Sequence, residues 1–428
     1  MAGMSEVQSV SLTSDMWTSM NMDAFLAITC HFIDADFKLS TVLFGVTKFP
    51  QTHTAEHIKE AKNVLLEEWG LKDKVHCLIT DNASNMILCA KLLKMRHVPC
   101  FAHTLNLVVK KALEVTPEIQ DIRTRTRRIV AFFKSSTNAK ERLSVTQGQL
   151  GIPTLKLVQE VETRWNSTFQ KLERMYEQRL AVGAALGSLT MDIPALSTTE
   201  LQTVSECLEI LGPFNHANVE LSEEKRVSSS KVIPILRMLQ HKVASKCSNM
   251  GNTTALLLGQ NLLHQMKAKC SVENVSVLAM ATVLDPGFKT LAFGNQTNAQ
   301  EAVKRITAEC LKYIQRSSAT TQSVPPEERP GTSMAGQDTD NLWELLDSRI
   351  GATRNVQSAV ADATVEVQRY LSDPYLPRGE GPLAYWATRR TVYPNLFQLC
   401  MIYLHMPATS VPCERVFSKA GEIKKEDV

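Results

Sequence analysis

Several features are scarce in this 428-residue sequence, and each scarcity excludes a class of protein. No apolar run approaches the ~20 residues needed to cross a bilayer, so no membrane partner is expected. The segment after Met1 lacks the basic, apolar, small-residue order of a secretory signal. The ten cysteines, from Cys30 to Cys413, form no C-x-x-C pair and no regular spacing, which argues for a reducing compartment. Charge of one sign is also missing: the formal net charge is only +3, so any phosphate binding must come from a local patch. What the chain does have is apolar material. Hydrophobic residues make up 44%, enough to bury the cores of two or three domains. A cytosolic or nuclear globular protein is the expectation.

The first hundred residues carry the clearest periodicity. Val7 to Thr13, Ala24 to Ile33 and Leu39 to Lys48 read as strands, with Leu26, Ile28, Cys30 and Phe32 on one face at period two. From Thr54 to Trp69 the period lengthens, placing Ile58, Ala61, Leu65 and Trp69 on one helical face, with Thr54 as the N-cap. Val75 to Thr80 suits a buried strand ending at Asp81, followed by a helix over Ser84 to Met95 and a short strand over Val98 to Phe101. The order is βββαβ followed by αβ, an α/β sheet. From Thr104 to about Ile314 the pattern is helical, and Arg316 to Asp340 collects Ser, Thr, Pro, Gly and Gln as a disordered linker does. The expected division is 1–115, 116–315, 316–340 and 341–428. Leu396 to Leu404 is hydrophobic nearly all round, so its own domain or a second subunit must cover it.

Two carboxylates, Asp15 and Asp81, are expected to close the first and fourth strands. As neighbours they would share divalent ions, the arrangement that clamps the attacking and leaving oxygens of a phosphoryl transfer; the alternative is that they cap strand and helix ends. Glu414, bordering the apolar stripe Cys413, Val416, Phe417 and Ala420, is the candidate third acid; the alternative is a solvated glutamate paired with a basic neighbour. Arg123, Arg125, Arg127, Arg128, Lys134, Lys140 and Arg142 face only Glu141 within their stretch of sequence, the best local patch for DNA phosphates. Arg164-Trp165 could hold a phosphate and stack on an unpaired base, or be a surface Arg beside a core Trp. Cys100 and His103 form half a zinc site with no second half at finger spacing.

In wording and order these segments resemble the hAT transposase superfamily, with the flavour of its domesticated zinc finger BED proteins. Ser11-Leu12-Thr13-Ser14-Asp15-Met16-Trp17 resembles the first-aspartate motif, and Ile79-Thr80-Asp81-Asn82-Ala83-Ser84-Asn85 the second. Cys100 to Leu107, Thr163 to Thr168, Leu284 to Lys289, and Tyr393-Pro394-Asn395-Leu396 with Pro407 to Gly421 resemble four further motifs. The resemblance implies an RNase H-like domain (βββαβα) interrupted by a large all-α insertion, with a helical C-terminal dimerisation region. It implies that Asp15, Asp81 and Glu414 are the metal ligands and catalytic acids of an Asp-Asp-Glu site, with Mg²⁺ as cofactor if the protein is active, and that Trp165 stabilises a flipped base. A homodimer is expected, through Trp386, Leu396, Phe397, Tyr403 and Phe417, in a nuclear protein contacting double-stranded DNA in transcriptional or chromatin regulation. There are departures. The first motif begins close to Met1, so no DNA-reading finger is expected and DNA contact should be weak; Gly287 and Glu160 stand where the family more often has Arg and Asp. Active metal-dependent transposition is the rival expectation.

Overall fold

A computed structural model describes residues 7–18, 22–49, 52–161, 164–189, 193–321 and 344–416. The strands are β1 (Val10–Thr18), β2 (Ala24–Ile33), β3 (Leu39–Lys48), β4 (Val75–Thr80) and β5 (Arg96–Pro99). They form one five-stranded sheet in the order β3-β2-β1-β4-β5. The first three strands pair antiparallel as a meander, while β4 joins β1, and β5 joins β4, in parallel. The parallel joins need crossovers, supplied by α1 (Ala55–Glu68) and α2 (Ser84–Leu92). Thr54 caps α1 as its position suggests, its hydroxyl accepting from the His57 amide.

Alternation along the strands sorts the sheet into two unlike faces. Val10, Leu12, Leu26, Ile28, Cys30 and Phe32 point to α1 and α2, where they meet Ile58, Leu66, Met86 and Cys89 in a closed apolar core. The opposite face carries Ser11, Thr13, Thr29 and His31 beside Cys77 and Ile79, and all six are buried. Strand β1 differs from expectation at its end. It runs to Thr18 because β2 continues to pair with it past the point where β4 stops, so Asp15 lies within the strand rather than closing it.

The helical part contains α3 (Phe101–Glu114), α4 (Pro117–Ser135), α5 (Thr137–Gln149), α6 (Trp165–Glu177), α7 (Arg179–Gly187), α8 (Thr198–Leu221), α9 (Val232–Ser248), α10 (Thr253–Lys269), α11 (Ser276–Leu284) and α12 (Gln296–Thr321). Then come α13 (Glu344–Ser372), α14 (Pro382–Arg389) and α15 (Pro394–Tyr403). Helix α12 runs on through Arg316 to Thr321, so the first residues assigned to a linker are helical; 322–343 lie outside the described residues. Helix α11 is apolar on every side and buried from Val277 to Leu284, packed by α9, α12 and α15. Among the described residues no helix is long and apolar enough to cross a membrane.

One core joins these parts. Cys77, Ile79 and Val98 of the sheet belong to the same cluster as α3, α8, α9, α11 and α15. Helix α15 is covered by α11, α12, α13 and α14 of its own chain. Of the two ways to bury its all-round apolar surface, the chain uses its own helices.

Candidate functional site

The parallel pairing of β1 with β4 ends at Thr13 opposite Ile79. Asp15 follows two residues later within β1, so strand alternation returns it to the face that carries Thr13, while Asp81 comes immediately after the last residue of the neighbouring β4. Asp15 sits opposite Ala27 of β2, and its Oδ1 accepts the Met16 amide at 2.8 Å. Asp81 Oδ1 accepts the Ala83 amide at 3.2 Å. It is not the cap of α2: that position belongs to Ala83, which makes no side-chain cap bond.

Glu414 reaches this face on a segment pinned at several points. The Phe101 amide donates to Ala408 O at 3.0 Å, and the Ser410 amide donates to Cys100 Sγ at 3.3 Å. Cys100 therefore anchors the C-terminal segment. Residues 411–416 are helical, and within them the buried Cys413 thiol packs 3.2 Å from Thr13 Oγ1, deep against β1. The small polar side chains of that sheet face leave room for this contact. The next residue, Glu414, comes within electrostatic range of Asp15.

The electrostatics record the meeting. Burial, then repulsion from Glu414 and from Asp81, push the Asp15 carboxyl from 3.8 up to about 7, against the opposing Met16 amide and Arg164 guanidinium. Glu414 is itself held by Arg164, Nη2 to Oε2, at 2.7 Å. Carboxylate oxygens alone are the donor set of a hard cation such as Mg²⁺. The spacing does not complete that set: among the described residues, no three His, Cys, Asp or Glu side chains stand close enough to hold one metal ion. The acids gather within electrostatic range, while the nearest cation to Glu414 is a guanidinium of the chain itself.

The residues read as DNA contacts are placed differently from expectation. Trp165 is 2% exposed, its ring edge-on to Phe169 and Phe214 at 6.3 and 6.4 Å, so it is a core tryptophan and cannot stack on a base in this arrangement. Its neighbour Arg164 is 63% exposed. Nor does the basic run face only Glu141. Arg125 pairs with Asp121 and Glu200, and Arg123 and Arg127 converge on Glu160 at 2.6 and 3.2 Å. Lys171, fully buried, meets the same carboxylate at 2.6 Å, and Thr168 donates to it. Burial alone would raise the Glu160 pKa, but the bonds from Lys171, Thr168 and Arg123 outweigh it and hold the carboxyl far below its ordinary range. Glu160 lies outside the counted window, and only folding brings it in. Arg128 stays exposed and pairs with no acid among the described residues.

The expected dimer contacts also need correction. Trp386, Leu396 and Tyr403 are 1%, 0% and 3% exposed within their own chain. The Trp386 indole donates to Leu284 O at 2.9 Å and packs against Tyr370, Tyr385 and Tyr393, which ties α14 to α11 and α13. These residues build the core of the C-terminal region instead of lining an interface. Phe397 is partly buried, edge-on to Phe37 at 5.7 Å, and Phe417 lies outside the described residues.

One residue near the site escaped the sequence reading. Lys62 is 0% exposed between α1 and α2, and among the described residues its amine reaches Met86 Sδ, 4.0 Å away. Burial lowers its pKa, and Cys89, Cys413 and Asp81 oppose the shift from within electrostatic range. A signal existed: Ala55, Ile58, Lys62 and Leu66 form the buried stripe of α1, and a lysine on such a stripe has to be buried with it.

Comparison with known families follows the same plan. Residues 13–102 match the ZBED1 RNase-like domain, 98–210 the ZBED1 RNase-like helical domain, and 366–427 the hAT family C-terminal dimerisation region. Zinc finger BED domain-containing protein 4 of Homo sapiens is 26% identical over 96% of this chain and 35% of that protein. Zinc finger BED domain-containing protein 6 of Mus musculus is 25% identical over 96% of this chain and 45% of that protein. For the RICESLEEPER 3 protein of Oryza sativa the figures are 22%, 94% and 56%. The chain thus spans roughly a third to just over a half of the length of these relatives. With the matched regions in this order along the chain, the protein belongs to the hAT transposase-derived family, and zinc finger BED domain-containing proteins are among its relatives.

Proposed function

We propose that this chain is a nuclear regulatory protein on an RNase H-like transposase scaffold, dimerising through its C-terminal region and contacting double-stranded DNA, with Arg164 holding its acidic cluster out of catalysis. The observation that carries the reading is the Arg164–Glu414 pair at 2.7 Å. A carboxylate committed to a guanidinium is a poor ligand, and a divalent ion placed beside Arg164 would meet its repulsion. Of the arginines expected to contact DNA, Arg127, Arg128 and Arg164 are exposed, whereas Arg123 and Arg125 are half-buried. Contact through three such groups gives a slope of about −3 for log K against log salt on duplex DNA. Fluorescence anisotropy at graded salt measures it, and a flat response would remove the DNA contact. Relatives named for BED zinc fingers support the location, which imaging of the tagged chain checks.

The second reading, metal-dependent DNA cleavage, draws on the response of Asp15 to both Glu414 and Asp81. It requires Arg164 to release Glu414. Purified protein with Mg²⁺ or Mn²⁺ and hairpin DNA separates the two: no nicking is expected, and nicking that disappears in Asp81→Asn would establish the second reading and sink the first.

A further inference from the structure

A solvent-open cavity of ≈ 530 Å³, lined by none of the three candidate acids, lies where α8 and α9 meet the Asp285-Pro286-Gly287 turn and the proline-rich segment before α14. Its longest wall is a single helix face. Lys231, Pro234, Ile235, Met238, Leu239 and Lys242 line it at helical spacing, from the cap residue of α9 through three turns, a length of about 16 Å. The floor is apolar. Met238 is 50% exposed, and Leu291 on the facing wall is 66% exposed, beside Phe288. Exposed apolar side chains converging on one groove are the mark of a recognition surface rather than of a solvated face.

The charges at the groove are not balanced. Lys231 is bound to Glu220 at 2.6 Å, and the Asp285 carboxylate is buried and takes the Ser230 hydroxyl and the Gly287 amide. Glu220 is therefore matched by Lys231, and Asp285 is buried beneath the surface. At the mouth this leaves Arg237, Lys242 and Arg378 against Glu380. Arg237 also braces the facing wall, donating to the Leu291 and Phe293 carbonyls at 2.8 Å, so the groove is held open by a hydrogen-bonded brace.

We infer that this groove docks an amphipathic helix of a partner protein, about three turns long, with an apolar stripe facing Met238 and Leu291 and acidic residues facing Lys242 and Arg378. The length of the α9 wall sets the turns, the apolar floor sets the stripe, and the surplus of cations at the mouth sets the sign of the flanks. The role does not depend on the acidic cluster, so it stands or falls separately from the proposed function.

The test uses the full chain and two synthetic fluorescein-labelled peptides. Both carry leucine at i, i+3, i+4 and i+7 over three to four turns; one has glutamate at the remaining positions and the other lysine. Anisotropy should show saturable binding of the acidic peptide, weakened by salt, and none of the basic one. Met238→Glu and Leu291→Glu, at exposed positions that should leave the melting temperature unchanged, should each weaken binding about tenfold or more. Lys242→Glu should lower affinity for the acidic peptide and raise it for the basic one. Equal binding of both peptides, no binding of either, or acidic-peptide binding indifferent to Met238→Glu and Leu291→Glu overturns the inference. So does a result in which those substitutions change only the sedimentation of the protein itself, which would make the groove a self-association surface.

Discussion

Arg164 Nη2 stands 2.7 Å from Glu414 Oε2, joining the start of α6 to the last helical turn described and setting a cation beside the acidic cluster. At 63% and 30% side-chain exposure, the pair contributes little to stability, within about 1 kcal/mol. Its expected effect is on ligand choice. Arg164→Ala should barely move the melting temperature yet raise the affinity for Mn²⁺ several-fold, as read by titration calorimetry. Unchanged affinity would mean that the guanidinium does not compete with a metal.

The buried Glu160 network behaves in the opposite way. Glu160→Gln leaves Lys171, with no exposed side-chain surface, without its counter-charge, and should cost about 3–5 kcal/mol in urea denaturation. The pH dependence follows from the sign of the shift. A carboxyl held below its ordinary value of 4.5 stabilises the fold above that pH and loses its contribution as pH falls through the lower, folded value. Stability of the parent should therefore fall on acidification below about 4.5, and Glu160→Gln should flatten that limb.

Lys62 gives a prediction of rising stability. Its amine is buried and pairs with no carboxylate among the described residues, so below pH 10.5 the unfolded chain holds its proton more tightly than the folded chain does. Lys62→Met removes that penalty while keeping the volume, and should raise the melting temperature by several degrees. A lower melting temperature would show that the amine makes a bond stronger than its surroundings suggest.

Three histidines behind the sheet set a second pH limb. Burial, with repulsion from His405, holds His31 at about 3 and His76 at about 3, and burial holds His405 at about 4, all against 6.5 when unfolded. The folded chain binds these protons only at lower pH than the unfolded chain. Stability is complete above 6.5 and should decline as pH drops toward 4, by a few kcal/mol in all. Chemical denaturation at pH 7.5 and 5 would expose a flat profile if the rings were open to solvent.

The C-terminal tryptophan separates folding from assembly. Trp386→Ala should cost about 3–5 kcal/mol of stability because it empties a fully enclosed site. A folded monomer of unchanged melting temperature in light scattering would instead place Trp386 in an interface.

Much of the sheet was legible from sequence alone, because strand alternation and the change of period at Thr54 depend only on near neighbours. The bounds of β2, β3 and β4 agree with that reading, and so does the cap of α1. Strand β1 was less legible past Thr13, since its continuation rests on pairing with β2, a partner the local pattern does not name. The basic run was misread for a related reason: charge counted along the chain omits Glu160 and Glu200, which arrive from elsewhere.

The order of short motifs and the alternation of apolar residues by themselves determined the family and the element order βββαβ followed by αβ, and they singled out Asp15, Asp81 and Glu414 as candidate acids. Tertiary structure alone decided that Cys413 packs on Thr13 and so carries Glu414 to Asp15, that Arg164 holds Glu414, and that Trp165 and Trp386 are core residues. The reason is range. Periodicity reports which face of an element is apolar, whereas burial and ion pairing depend on which other element arrives to cover that face.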